Sequence, residues 1–106
     1  MPAIWLHAFV RLTATTPARL YGLYPRKGTI AVGSDADLTL WDRRRLVTVT
    51  HAMLHDRMDY TPFEGLTLRG WPMMTISRGE LVMRNGEVFG REGRGLFLER
   101  RPGFDA

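Results

Sequence analysis

Asn85-Gly86 stands between two short runs of strand character, Leu81 to Arg84 and Glu87 to Phe89. Both central residues of the favoured two-residue hairpin turn need positive φ. Asparagine tolerates that conformation and glycine adopts it freely, so the pair predicts a β-hairpin. An isolated hairpin is marginal in water, so the chain must supply further strands or a surface to pack on. Asp37 to Trp41 reads as one such strand, with Leu38 and Leu40 on one face and Thr39 and Trp41 on the other. Leu46 to Thr50 reads as a second, its alternation setting Val47 and Val49 together as in a half-buried strand. Met73 to Arg78 reads as a third, with Trp71-Pro72 as its entry bend. Arg43-Arg44-Arg45, between the first two, reads as a solvated loop. The glycine-rich, charged stretch from Gly90 to Gly95 reads as loop, and the tail from Arg100 to Ala106 is expected to be ordered only if it docks.

The first third has a different texture. Ile4, Leu6, Ala8, Phe9 and Leu12 cover much of a helix surface, and such a helix needs a partner. Thr16-Pro17 reads as a second helix start, with Thr16 capping free N–H groups and Pro17 at the first helical position. Gly22 reads as its stop. The fold class that follows is mainly β with an N-terminal helix, the β part being a small antiparallel sheet.

Length and composition narrow the function. A chain of 106 residues is enough for one domain but not for an α/β barrel of about 250 residues. It holds no cysteine, which excludes disulfides and thiolate metal sites. Net charge is +4, from 15 Lys plus Arg against 11 Asp plus Glu, and Lys27 is the only lysine. Arginine suits phosphate contacts, but these arginines are scattered rather than aligned in a stripe, so nucleic acid is not read as a partner. No stretch approaches the roughly 20 apolar residues of a membrane span, and Met1 to Val10 lacks the basic start of a targeting segment. The chain is read as cytoplasmic, with no membrane partner.

The candidates for chemistry are few. His51 and His55 are four apart, but Ala52-Met53-Leu54 lie between them with no glutamate beside His51. A zinc site wants three or four converging ligands, so both are read as loop or cap histidines bonding backbone or a nearby carboxylate, Asp56 and Asp59 being carboxylates in reach of His55. His7 lies among apolar residues and reads as a helix-face histidine. Asp35 and Asp37 read as turn formers that accept backbone N–H groups. Asp59 and Glu64 sit in a loop that Tyr60 and Phe63 would anchor against a partner surface. Ser34 and Ser77 lie in no nucleophile-elbow motif, and no glycine pattern makes a phosphate cradle. Trp5, Trp41 and Trp71 read as core or interface residues.

Several motifs follow one another in order. They are Thr16-Pro17-Ala18-Arg19-Leu20-Tyr21-Gly22-Leu23-Tyr24-Pro25-Arg26-Lys27-Gly28, then Gly33 to Asp42, then His55 with Asp59-Tyr60-Thr61-Pro62-Phe63-Glu64-Gly65, then Arg78-Gly79 and Asn85-Gly86. Residues 16–42 and 55–90 thereby resemble the C-terminal part of the hydantoinase and dihydropyrimidinase family of cyclic amidohydrolases, with allantoinase a near relative. Asp59-Tyr60 favours hydantoinase or dihydropyrimidinase, while Leu68-Arg69-Gly70 is at home in allantoinase too. The resemblance implies that residues 1–28 are terminal helices at the end of a barrel. It implies that residues 29–106 are a small β domain with a C-terminal tail, part of a composite β-sandwich.

The same resemblance implies a parent reaction, metal-dependent opening of a cyclic amide to an N-carbamoyl product. The family's metal is divalent, namely zinc, and its ligands precede the segment matched here. No catalytic, cofactor-binding or metal residue is therefore assigned to this chain, and by itself it is expected to be inactive. Its expected partners are the missing barrel domain or further copies of itself. A freestanding, non-catalytic module forming homo-oligomers is the alternative. Because the sandwich's N-terminal strands are absent, the sheet is expected to carry an unprotected edge.

Overall fold

In the computed structural model, residues 5–102 of the chain are described. They fall into two compact units, each treated by itself. One is Leu38–Arg91; the other joins the described residues up to Asp37 with those from Glu92.

The helical unit opens with α1 (Leu6–Val10), a π-helical turn (Arg11–Thr15) and α2 (Thr16–Leu20), which follow without a break. The sequence reading had Thr16 capping a separate helix, and this is corrected. Residue 15 is already helical, at φ −70° and ψ −47°, and no side chain caps α2. Pro17 is the physical reason for the wide turn. It has no N–H to give and its ring crowds the carbonyl four residues back. Widening the preceding turn relieves both, and the Thr16 N–H goes to the Arg11 carbonyl, five residues back. Ile4, counted on this helix from sequence, lies outside the described residues.

The helix ends as expected at Gly22. Its φ of +71° is left-handed, and its N–H donates to the Arg19 carbonyl at 3.3 Å while the Leu23 N–H donates to the Ala18 carbonyl at 2.8 Å. That pair of bonds is a Schellman cap. Gly22 also receives the tail: the Arg101 N–H donates to its carbonyl at 2.9 Å. The tail docks there, and its last residues, 103–106, lie outside the described part.

The other unit is a four-stranded antiparallel meander in the order β1-β2-β3-β4. The strands are β1 (Leu38–Thr48), β2 (Thr67–Ser77), β3 (Glu80–Arg84) and β4 (Glu87–Val88). The predicted hairpin is present. Asn85 and Gly86 have φ of 50° and 81°, and Arg78 and Gly79 repeat the pattern at 47° and 79° in the preceding turn.

Two sequence readings are corrected in the sheet. Arg43-Arg44-Arg45 is not a loop between strands but a bulge within β1. Asp42 pairs with Trp71 and Leu46 with Arg69, so three residues on β1 face only Gly70 on β2. The Asp42 carboxylate accepts the Arg44 N–H at 2.9 Å and holds the bulge. All three arginines are exposed, as a solvated segment requires. Trp71-Pro72 likewise lies inside β2 rather than before it. Pro72 pairs with Trp41 beside a register shift, the irregular setting in which a strand tolerates proline.

The buried hydrophobic core is thin. Val47 at 8% and Val49 at 4% exposure are its members in the sheet unit, and Ala18 at 4% in the helical unit. Alternation from Val47 predicted the first two. Trp41 remains 48% exposed. The chain exposes 9048 Å², whereas two separate folded bodies of half its mass would together expose roughly 7,300 Å².

Candidate functional site

The best-built polar cluster lies in the segment after the helix. Pro25 and Ser34 close it, with the Ser34 hydroxyl donating to the Pro25 carbonyl at 2.7 Å. The Asp35 N–H donates to the Arg26 carbonyl at 2.9 Å. Between them, Asp35 takes both the Arg26 Nε and the Lys27 ammonium at 2.9 Å, and Lys27 also bonds Asp37. The hydrogen bond from Lys27, then that from Arg26, holds the Asp35 carboxyl below the usual carboxylate range. Partial desolvation works to lower the Lys27 value, but its bonds to Asp37 and Asp35 prevail and raise it.

Sequence reading expected Asp35 and Asp37 to accept backbone N–H groups; the structure gives both carboxylates side-chain cations as partners, Arg26 and Lys27 for Asp35 and Lys27 for Asp37. The missed signal was available. The chain's sole lysine stands eight and ten residues before two aspartates, across a segment with turn residues. Gly28 extends the cluster onto the helix, where its carbonyl accepts the Thr15 hydroxyl at 2.7 Å. A side chain there would meet Ala18 Cβ at 2.5 Å. These bonds clamp the loop from Pro25 to Asp37 onto itself.

The histidines do not converge. The backbone N–H of His51 donates to Glu64 Oε2 at 2.7 Å, its ring nitrogen standing 3.9 Å from the same oxygen. Glu64 thus holds the start of a short 3₁₀ turn, His51–Met53. His55 lies with Nε2 3.3 Å from the Gly86 backbone carbonyl, the backbone alternative of the two that the sequence left open. His7 is exposed on α1. Among the described residues, no group of three or more His, Cys, Asp or Glu side chains could hold a metal ion. The donor set of the described residues therefore does not fit a zinc site.

The loop from Asp59 to Gly65 is tied to the sheet by its backbone. Gly65 N–H donates to the Val49 carbonyl at 2.8 Å, and Val49 N–H to the Leu66 carbonyl at 2.9 Å. Thr61 is its buried anchor, at 9% exposure, and its hydroxyl accepts the Phe63 N–H at 3.2 Å. Tyr60 and Phe63 point outward, 62% and 59% exposed. A shallow depression of about 430 Å³ lies on the sheet beside the arginine bulge, walled by Trp41, Met73 and Met74. Among the described residues, no helix is long and apolar enough to cross a membrane.

The chain is similar to known amidohydrolases in sequence and in structure. A model of the amidohydrolase family matches residues 1–82. D-phenylhydantoinase of Escherichia coli O1:K1 is 48% identical over 99 residues, which are 93% of this chain and 22% of that protein. Among solved structures, a D-hydantoinase superposes with a TM-score of 0.89 at 43% identity, over 92% of this chain and 21% of the other. The D-hydantoinase (dihydropyrimidinase) from Thermus sp. gives 0.89 at 42% identity, over 94% and 22%. The L-hydantoinase (dihydropyrimidinase) from Arthrobacter aurescens gives 0.87 at 38% identity, over 92% and 22%. The chain spans about a fifth of the length of the relatives it matches.

Proposed function

The chain belongs to the amidohydrolase family, and on that premise we propose that it is the C-terminal structural portion of a hydantoinase-like or dihydropyrimidinase-like enzyme. One observation carries this reading: 48% identity to D-phenylhydantoinase runs over 93% of this chain yet reaches 22% of that protein. In the proposed parent, residues 1–28 close the barrel and residues 29–106 complete a small β-sandwich with a C-terminal tail. The parent opens a cyclic amide to an N-carbamoyl product by means of a divalent metal, zinc, held by residues outside this chain.

The thin core supports the same reading. Side chains such as Trp5, 79% exposed, and Trp41 have the size of interior residues. In the proposed parent they are covered by the barrel and by the remaining sandwich strands. The expected test is direct. The purified chain should bind no stoichiometric zinc and open no hydantoin or dihydropyrimidine ring. Turnover that persists after His7, His51 and His55 are all replaced would overturn it.

A second reading draws on β1. It is a terminal strand of the sheet, eleven residues long, and exposed edges recruit partners. A freestanding module would satisfy that edge with a second copy. Sedimentation distinguishes the two: a concentration-dependent discrete oligomer supports the module, and a monomer at high concentration removes it.

A further inference from the structure

Asn85 is the one side-chain amide in the chain, which holds no glutamine and no second asparagine. We propose that Asn85 is a spontaneous modification site, at which the Gly86 backbone nitrogen attacks the Asn85 side chain and converts it to aspartate and isoaspartate.

The geometry supports the reaction in three ways. Asn85 is exposed. A Cβ built on Gly86 would meet nothing within 4 Å, so the turn is uncrowded on that side. The turn is also held on its far side by few ties, the long 3.3 Å contact from His55 Nε2 to the Gly86 carbonyl among them. Beyond it β4 is only Glu87–Val88, paired through Met83↔Val88 and Arg84↔Glu87, with one further bond from the Phe89 N–H to the Val82 carbonyl at 3.0 Å. On the near side the Asn85 N–H is anchored to the Met73 carbonyl at 2.8 Å. The downstream arm therefore opens first, as short terminal elements do, and its opening frees the Asn85–Gly86 peptide to rotate.

The chemistry balances with water alone. Hydroxide takes the Gly86 amide proton, and the nitrogen bonds to Asn85 Cγ. The bond from Cγ to the side-chain nitrogen breaks, and ammonia leaves with a proton from water. Water then opens the resulting succinimide. Cleavage at Cγ restores the normal backbone as aspartate, and cleavage at the α-carbonyl leaves isoaspartate. Arg84 and Glu87 flank the turn, and His55 faces it from another segment, 3.3 Å from the Gly86 carbonyl. Isoaspartate lengthens the backbone by a methylene just before β4, which removes the two-residue turn geometry and the pairing of β4.

Intact mass and peptide mapping of the purified chain in mildly alkaline buffer test this, beside a linear peptide of residues 80–90. The expected result is an amide-to-acid mass gain confined to the fragment carrying Asn85, with isoaspartate formed and the rate rising in proportion to hydroxide. Val88→Gly, at an exposed position, should accelerate it by loosening β4. An amide that stays intact in the folded chain while the peptide converts completely would overturn the proposal. A rate indifferent to Val88→Gly would overturn the opening route.

Discussion

At the scale of single residues, Gly22 does two jobs that separate experimentally. It adopts a left-handed φ, and it leaves room for the tail, since a Cβ there would fall 2.0 Å from the Arg101 carbonyl oxygen. Gly33 shares the left-handed φ, at +91°, with nothing within 4 Å. Gly33→Ala should therefore cost only the backbone term, about 1–2 kcal/mol. Gly22→Ala should cost clearly more in urea unfolding and should expose the tail to proteolysis; equal losses would contradict the docking. Lys27 gives a pH test. Its value is raised in the folded state, so its contribution is full below the ordinary lysine value and fades as pH rises through the raised one, above about pH 10. Asp35 is depressed, so its contribution is present above the ordinary carboxylate value and fades as pH falls through the lower one, below about pH 4. Lys27→Met should flatten both limbs of the stability profile. The glycine stop at Gly22 was legible because its signal is local. The partners of Asp35 and Asp37 do not follow from turn propensity, which says nothing of which side chains a turn brings together; the sole lysine eight and ten residues upstream was the signal that pointed to them.

At the scale of elements, hairpins were the most legible part, since the Asn85-Gly86 turn carries its own conformational demand. Strand lengths were not. β1 and β2 run through an arginine triplet, a glycine and a proline, because the ladder absorbs those residues in paired irregularities, and only the partner strand reveals this. The helix shows the same limit: Thr16-Pro17 has the local chemistry of a start, yet the preceding turn supplies helical geometry and the π-turn relieves the proline. Pro17→Ala should restore the missing N–H and let that turn tighten. The expected result is higher helicity by circular dichroism and a gain of about 1 kcal/mol or more, within the roughly 3 kcal/mol that an interior proline costs. Lower helicity would contradict this origin of the π-turn.

At the scale of the molecule, the chain buries few large side chains and leaves many exposed. Hydrophobic burial is the main favourable term in folding, so apolar faces of this kind call for covering surface. The sequence made the family legible through ordered motifs, but no local pattern discloses what covers Trp41 or Phe63. On the proposed function, these residues complete and stiffen an enzyme whose reaction lies elsewhere. The most direct measurement replaces the matching fifth of Escherichia coli D-phenylhydantoinase with this chain and compares turnover across substrates. A folded, metal-loaded chimera should keep the parent's turnover and its order of substrate preference; a chimera equally folded and loaded that loses turnover or changes preference would contradict the claim.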